Sequence, residues 1–272
     1  MPGESAAAVA ARGLGLHLEE AGPRSAAVLP LLFIHGWGGR GRVFRHQIRH
    51  FSARRRCLAP DLPGHGLSAK PQIDYAIPVL AETLAALLEV LAVRRVIPVG
   101  HSMGALVALE LARLLGPARV PALALIEPAP LLPPENVARG LEKTERLLRE
   151  EGWRAAMRRL LDSAFLLPGE PDGEVRAEAE AGMKAVSPFA AEACWEAMRQ
   201  YGGEETLAAL AQPVAVILGA RPQVDIGRWR AASSAPLLIG QTLGAGHFNL
   251  LTVPAQVNAM LSTFLERVDT AA

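Results

Sequence analysis

Gly100-His101-Ser102-Met103-Gly104 sets a serine between two glycines at the G-x-S-x-G spacing. That spacing suits a sharp strand-to-helix turn, where the serine sits in strained backbone with its hydroxyl exposed. Side chains two positions to either side would collide with neighbouring backbone, so both positions require a very small residue. The flanks agree, because residues 95–99 carry a short β-branched strand signal. A helix reads from residue 103 to about 115, closed by Gly116-Pro117. The start of that helix favours negative charge developing beside the serine. Ser102 is therefore the candidate nucleophile. A serine hydroxyl is weak at neutral pH and needs a base.

The candidate base is His247, in Gly244-Ala245-Gly246-His247-Phe248. It follows the last strand signal and precedes the final helix, at the same sheet edge as the serine turn. The other six histidines fit worse. His17, His46 and His50 read as surface residues and His35 and His65 as loop residues. His101 fills the variable position of the serine turn. An oxyanion needs main-chain N–H donors aimed at it. Met103, directly after the serine, would give one. Trp37, in the His35-Gly36-Trp37-Gly38-Gly39 loop, would give the other.

The elements that must position these groups alternate along the chain. Residues 14–19 read as an edge strand and residues 27–34 as a fully buried strand. A helix at 43–52, a strand at 54–59 and a helix at 77–91 follow, then the strand, serine turn and helix above, and a strand at 121–126. Such alternation predicts an α/β fold with a parallel sheet covered on both faces. After Glu127 the pattern changes. Residues 135 to about 210 carry helix signals and no strand, with breaks at Gly152, at 168–173 and at Ser187-Pro188. Strand signals return at 214–218 and 236–243, and a last helix spans about 254–268.

Composition narrows the classes of function. Half of the 272 residues are apolar and a fifth charged, enough for a large core. Lysine and arginine number 28 against 27 acids, so no bulk field points to nucleic acid or an anionic membrane. The arginines between positions 40 and 56 read as a solvated face. Cys57 and Cys194 are far apart and read as reduced thiols, with no disulfide or zinc framework. The N-terminal alanines lack a basic region before them, and no run reaches the roughly 20 apolar residues of a membrane span. A cytoplasmic location is the expectation.

FIHGWGG, APDLPGHGLS, VGHSMG and GAGHF occur here in the order and approximate spacing of the α/β-hydrolase superfamily, which the chain resembles over nearly its whole length. The resemblance implies the α/β-hydrolase fold: an eight-stranded, mostly parallel sheet with helices on both faces and an inserted helical cap. Residues 130–210 would be the cap (lid) subdomain, with 1–129 and 211–272 forming the core domain. Asp61 would be a turn former near the site.

The superfamily usually carries its triad acid after the seventh strand, as G-x-x-D. Here that strand runs into Gly219-Ala220-Arg221-Pro222, and a proline cannot orient an imidazole. Asp225 lies three residues late, where a shifted loop would still deliver it. The other carboxylate is Glu127, directly after the sixth strand. Certain haloalkane dehalogenases and zearalenone-type lactone hydrolases place their acid there, and the latter also lack the late aspartate. This sequence is similar in both respects. Glu127 is the preferred acid and Asp225 the alternative.

A serine at the turn suits acyl transfer, since the superfamily's dehalogenases and epoxide hydrolases use aspartate there. The expected function is a serine hydrolase cleaving a carboxylic ester or lactone through an acyl-enzyme, with no metal or organic cofactor. The expected partner is a small apolar ester or lactone, with neither nucleic acid nor membrane, and an apolar cap surface would allow a homodimer. Trp153, Met157, Leu160, Phe165, Leu166, Met183, Phe189 and Trp195 either line an apolar cavity or pack the cap onto the core. Three other functions stay open, one of them a cofactor-free haloperoxidase-like side reaction. A ring-cleavage type of carbon–carbon bond hydrolase would use the same triad, although Phe248 stands where such enzymes often carry tryptophan. A ligand-binding protein could retain the fold without turnover.

Overall fold

The computed structural model describes residues 13–24 and 28–271. The N-terminal residues read for a leader, and residue 27 of the expected second strand, lie outside the described residues.

β1 (Leu18–Ala21) is followed by β2 (Leu31–Ile34), a 3-10 turn at Gly41–Phe44, α1 (Arg45–Phe51) and β3 (Cys57–Pro60). Next come α2 (Ile77–Val90), β4 (Ile97–His101), α3 (Met103–Arg119) and β5 (Leu123–Ile126). Five helices then run without a strand: α4 (Glu135–Glu151), α5 (Trp153–Leu160), α6 (Gly173–Ala185), α7 (Pro188–Gln200) and α8 (Glu204–Ala209). The chain closes with β6 (Val214–Leu218), α9 (Ile226–Ala232), β7 (Leu237–Gln241), a short α10 (Asn249–Thr252) and α11 (Pro254–Ala271).

The strands form one sheet in the order β1-β3-β2-β4-β5-β6-β7. β1 pairs antiparallel with β3, and every other neighbouring pair is parallel. The sheet thus holds seven strands among the described residues, not eight. Its antiparallel edge is the single strand β1. Pro23 and Pro30, between β1 and β2, have no N–H to give a ladder, and β2 starts only at Leu31, after the second of them. The Pro30 carbonyl instead accepts from Ile97 N–H at 3.0 Å.

β2 to β6 are buried along their whole length, as expected of parallel strands covered on both faces. Successive side chains go to opposite faces. Leu32, Ile34, Leu123, Leu125, Val214 and Val216 pack with α2 and α3 in one core. Leu31, Phe33, Ala124, Ile126, Ala215 and Ile217 pack with α11 in the other. Gly116, at φ 70°, breaks α3 where the sequence marked its end, and one short turn follows. The helices α9 and α10 carry no strong periodic signal and were not expected. None of the described helices is long and apolar enough to cross a membrane.

The helical insertion between β5 and β6 is clamped to the loop after β2. Arg40 Nε donates to Glu178 Oε1 on α6 at 2.6 Å, and Arg45 pairs with Glu174 and Glu178. Trp37 Nε1 donates to the Ala191 carbonyl on α7 at 2.7 Å. Four of the seven arginines between positions 40 and 56 are therefore paired instead of solvated, with Arg55 on Asp269 and Arg56 on Glu20 as well, while Arg42, Arg49 and Arg54 are exposed as expected. The partners of the paired four come from segments remote in sequence. A Cβ on Gly182 would fall on the Gly38 carbonyl oxygen, so α6 lies directly on this loop. Gly182→Ala is expected to lift α6 and destabilise the fold by about 1–3 kcal/mol, the usual range for overpacking. Thermal denaturation checks it, and an unchanged Tm would mean that the clamp is looser than the geometry requires.

Candidate functional site

β4 enters the serine turn and α3 leaves it. Ser102 has φ 54° and ψ −120°, a backbone state that non-glycine residues rarely adopt. A Cβ on Gly100 would meet the Gly104 carbonyl, and one on Gly104 would meet that of Ile34. The turn is pinned to the next strand. Ser102 N–H donates to the Ile126 carbonyl at 3.1 Å, and the Ser102 carbonyl accepts from Ala129 N–H at 3.1 Å. Met103 is the first residue of α3, so its N–H is one of the donors with no partner inside the helix. Trp37 lies in the loop after β2 and borders the same cavity as Ser102 and His247.

Glu127 leaves β5 with φ 42°, also in the left-handed region. Its N–H donates to the Ile217 carbonyl of β6 at 2.8 Å. The residue is 1% exposed. Its Oε1 accepts from Gly219 N–H, and its Oε2 lies 3.2 Å from His247 Nδ1. Burial pushes the carboxyl up to about 8, against the opposing Gly219 N–H. Burial likewise pushes the His247 imidazole down to about 3, which leaves the ring neutral at neutral pH. Asp225 sits elsewhere. It caps α9, its Oδ1 accepting from Arg228 N–H at 3.1 Å. The structure thus brings Glu127, and not Asp225, to His247.

Of the neighbours of His247, Phe165 was read only as a cavity-lining or packing residue, and Glu170 carried no signal. Phe165 ends a π-type turn (Leu161–Phe165), in which Leu166 N–H reaches back to the Leu161 carbonyl. Its ring stacks on the imidazole at 4.3 Å between centroids and 20° between planes. Its carbonyl accepts from His247 N–H at 2.8 Å. Glu170, also from the insertion, accepts from Gly246 N–H at 3.0 Å, from Leu167 N–H at 2.9 Å and from the Thr252 hydroxyl at 2.7 Å. The buried His101 ring places Nε2 2.9 Å from the His247 carbonyl. Asp61 holds the loop beside the site, accepting from Gly41 and Leu67 N–H groups.

Ser102 and His247 open into an apolar cavity of about 80 Å³, roofed by the insertion. Of the eight insertion residues considered for it, Met157, Leu160, Phe165 and Trp195 line it. Leu166 and Met183 are packed into the two cores. Trp153 meets Trp37 edge-on, while Phe189 is exposed beside Tyr75.

A seven-stranded sheet with a serine turn after β4 and a histidine after β7 defines a class, and comparison with known proteins gives the same one. The alpha/beta hydrolase family model matches residues 31–260, and the chain belongs to that family of hydrolase-type enzymes. Structurally it is similar to a thermophilic esterase from Thermogutta terrifontis, with a TM-score of 0.77 and 19% identity over 93% of this chain and 94% of that one. It is also similar to the enol-lactonase from Burkholderia xenovorans LB400, with a TM-score of 0.75 and 22% identity over 92% and 96% of the two chains. By sequence, 104 residues are 43% identical to the dihydrolipoyllysine-residue acetyltransferase component of the acetoin cleaving system of Pseudomonas putida. That match spans 38% of this chain and only 27% of the relative.

Burial of Glu127 gives a stability prediction. Its folded-state carboxyl is raised to about 8 from 4.5, so its stabilising contribution is complete below pH 4.5 and is lost as pH rises through about 8. Glu127→Gln removes this titration. Its Tm relative to the unsubstituted protein is expected to climb steadily across that interval. A pH-independent difference would show that the carboxylate is not strained by burial.

Proposed function

We propose that the chain is a serine hydrolase that cleaves a carboxylic ester or lactone through an acyl-enzyme. The observation that carries this reading is the engagement of His247 Nδ1 by Glu127 at 3.2 Å, beside a cavity shared with Ser102. With the ionised Glu127 carboxylate accepting from Nδ1–H, Nε2 is the ring nitrogen left to take the serine proton, the arrangement of a catalytic triad. Glu127 is the acid in this proposal.

The steps follow from the groups present. Ser102 Oγ attacks the carbonyl carbon while its proton passes to His247 Nε2. The N–H groups of Met103 and Trp37 hold the resulting oxyanion. The tetrahedral adduct collapses, the bond to the leaving oxygen breaks, and that oxygen takes the proton from His247. Water then adds to the acyl-enzyme, with His247 again as base, and the acid departs as Ser102 regains its proton. A lactone would open to a hydroxy acid by the same path. Each step uses only groups of this chain, and none calls for a metal or organic cofactor. Met157, Leu160 and Trp195 favour an apolar group next to the reacting carbonyl. Residues 130–210 act as the cap in this reading, over a core of 1–129 and 211–272.

The test is hydrolysis of a panel of acyl esters and lactones. Ser102→Ala is expected to lose roughly a million-fold in turnover, the scale known for a lost serine nucleophile. Glu127→Ala should lose on the order of 10⁴-fold, as when a triad imidazole is misoriented. Asp225→Ala should keep most activity. The reverse ranking of the two acid variants would sink the assignment of Glu127. A folded protein that retained ligand stoichiometrically and turned nothing over would be a binding protein instead.

A further inference from the structure

A second, larger basin borders the first cavity. It is open to solvent and holds about 790 Å³ between α4, α5 and the loop after β6. Leu141, Leu160 and Gln223 line both, so the two spaces share this border. The sizes divide the labour. About 80 Å³ falls below the roughly 300–1,000 Å³ of pockets that bury a whole small molecule, and 790 Å³ falls within it. The serine cavity alone has room for little more than the reacting end of a substrate.

The larger basin differs in chemistry as well as size. Lys143, Arg146, Arg159 and Arg221 line it, against Glu150 and Glu151. Arg159 faces Glu151 at 3.8 Å, which accounts for one charge of each sign. Among the described residues Lys143, Arg146 and Arg221 have no ion-pair partner, so three cations face the basin against the single carboxylate of Glu150. Most other arginines of the insertion are paired, as Arg149 is with Glu145 and Arg158 with Glu180. Arg221 belongs to the segment after β6 where the superfamily pattern would carry an acid. With Glu127 beside His247, that segment is released to line the basin.

We propose that this basin is a second subsite that receives an anionic group, such as a carboxylate, at the end of the substrate remote from the scissile bond. The proposal rests on the hydrolase reading for the meaning of "scissile", and it deepens that reading. The preferred substrate becomes an ester or lactone with an apolar reacting half and an anionic tail. Leu141, Leu160 and Gln223 would contact the stretch between the two ends. Because the basin is open to solvent, its charges act partly screened, and the preference they confer should shrink with added salt.

The probes are the mono-4-nitrophenyl ester of suberic acid, which ends in a carboxylate, and its counterpart ending in a primary amide. Binding of both to Ser102→Ala is measured by calorimetry, where no turnover intervenes. The acid-ended ester is expected to bind roughly ten-fold tighter, the scale of a few partly exposed charge pairs. The ratio should fall to near unity when Arg146→Glu and Arg221→Glu are added. Equal binding of the two probes, or a ratio that survives charge reversal, would overturn the subsite. Turnover of the amide-ended ester by the enzyme with Ser102 intact judges the hydrolase reading separately. Failure there with a persistent binding ratio removes the chemistry and leaves the anion site.

Discussion

The ends of β4, β5 and β6 are held in one register, and the candidate site depends on it. Two residues at these ends, Ser102 and Glu127, have positive φ without being glycine. Such backbone persists only where its surroundings over-determine it. Here the register does so, through the hydrogen bonds from Ser102 to Ile126 and from Glu127 to Ile217. Each strained residue is thus braced by the neighbouring strand, and their side chains leave the sheet at adjacent points.

Dehydration is the second determinant. His247 and Glu127 are both almost fully buried, and burial opposes charge on either. Two features of the insertion maintain this state. Phe165 covers one face of the imidazole, and Glu170 fixes the backbone one residue before it. Residues far from the sheet in sequence therefore set the electrostatic surroundings of a residue that the sheet delivers.

The fold was legible because its signals are local. β6 occupies the residues marked for it, and α2 and the break in α3 match closely, because glycine, proline and apolar runs act within a few residues. The serine turn was legible for the same reason. The choice between Glu127 and Asp225 was not local. Glu127 follows its strand directly and Asp225 stands farther beyond its own, and the β5–β6 register, with Asp225 drawn off to cap α9, separates them. Glu170 was invisible because it sits in the break at 168–173 of a charge-rich insertion, where nothing local sets it apart from the other acids. Arg40 and Arg45 were misread because their partners, Glu178 and Glu174, lie more than a hundred residues later.

The contacts of Phe165 tie the roof of the cavity to His247 itself. Its carbonyl holds the histidine's main chain and its ring covers the imidazole. Moving residues 161–165 outward would break both contacts at once and admit water to a ring whose proton affinity burial now suppresses. Roof and histidine are therefore one mechanical and electrostatic unit, and a change in either segment is felt by the other.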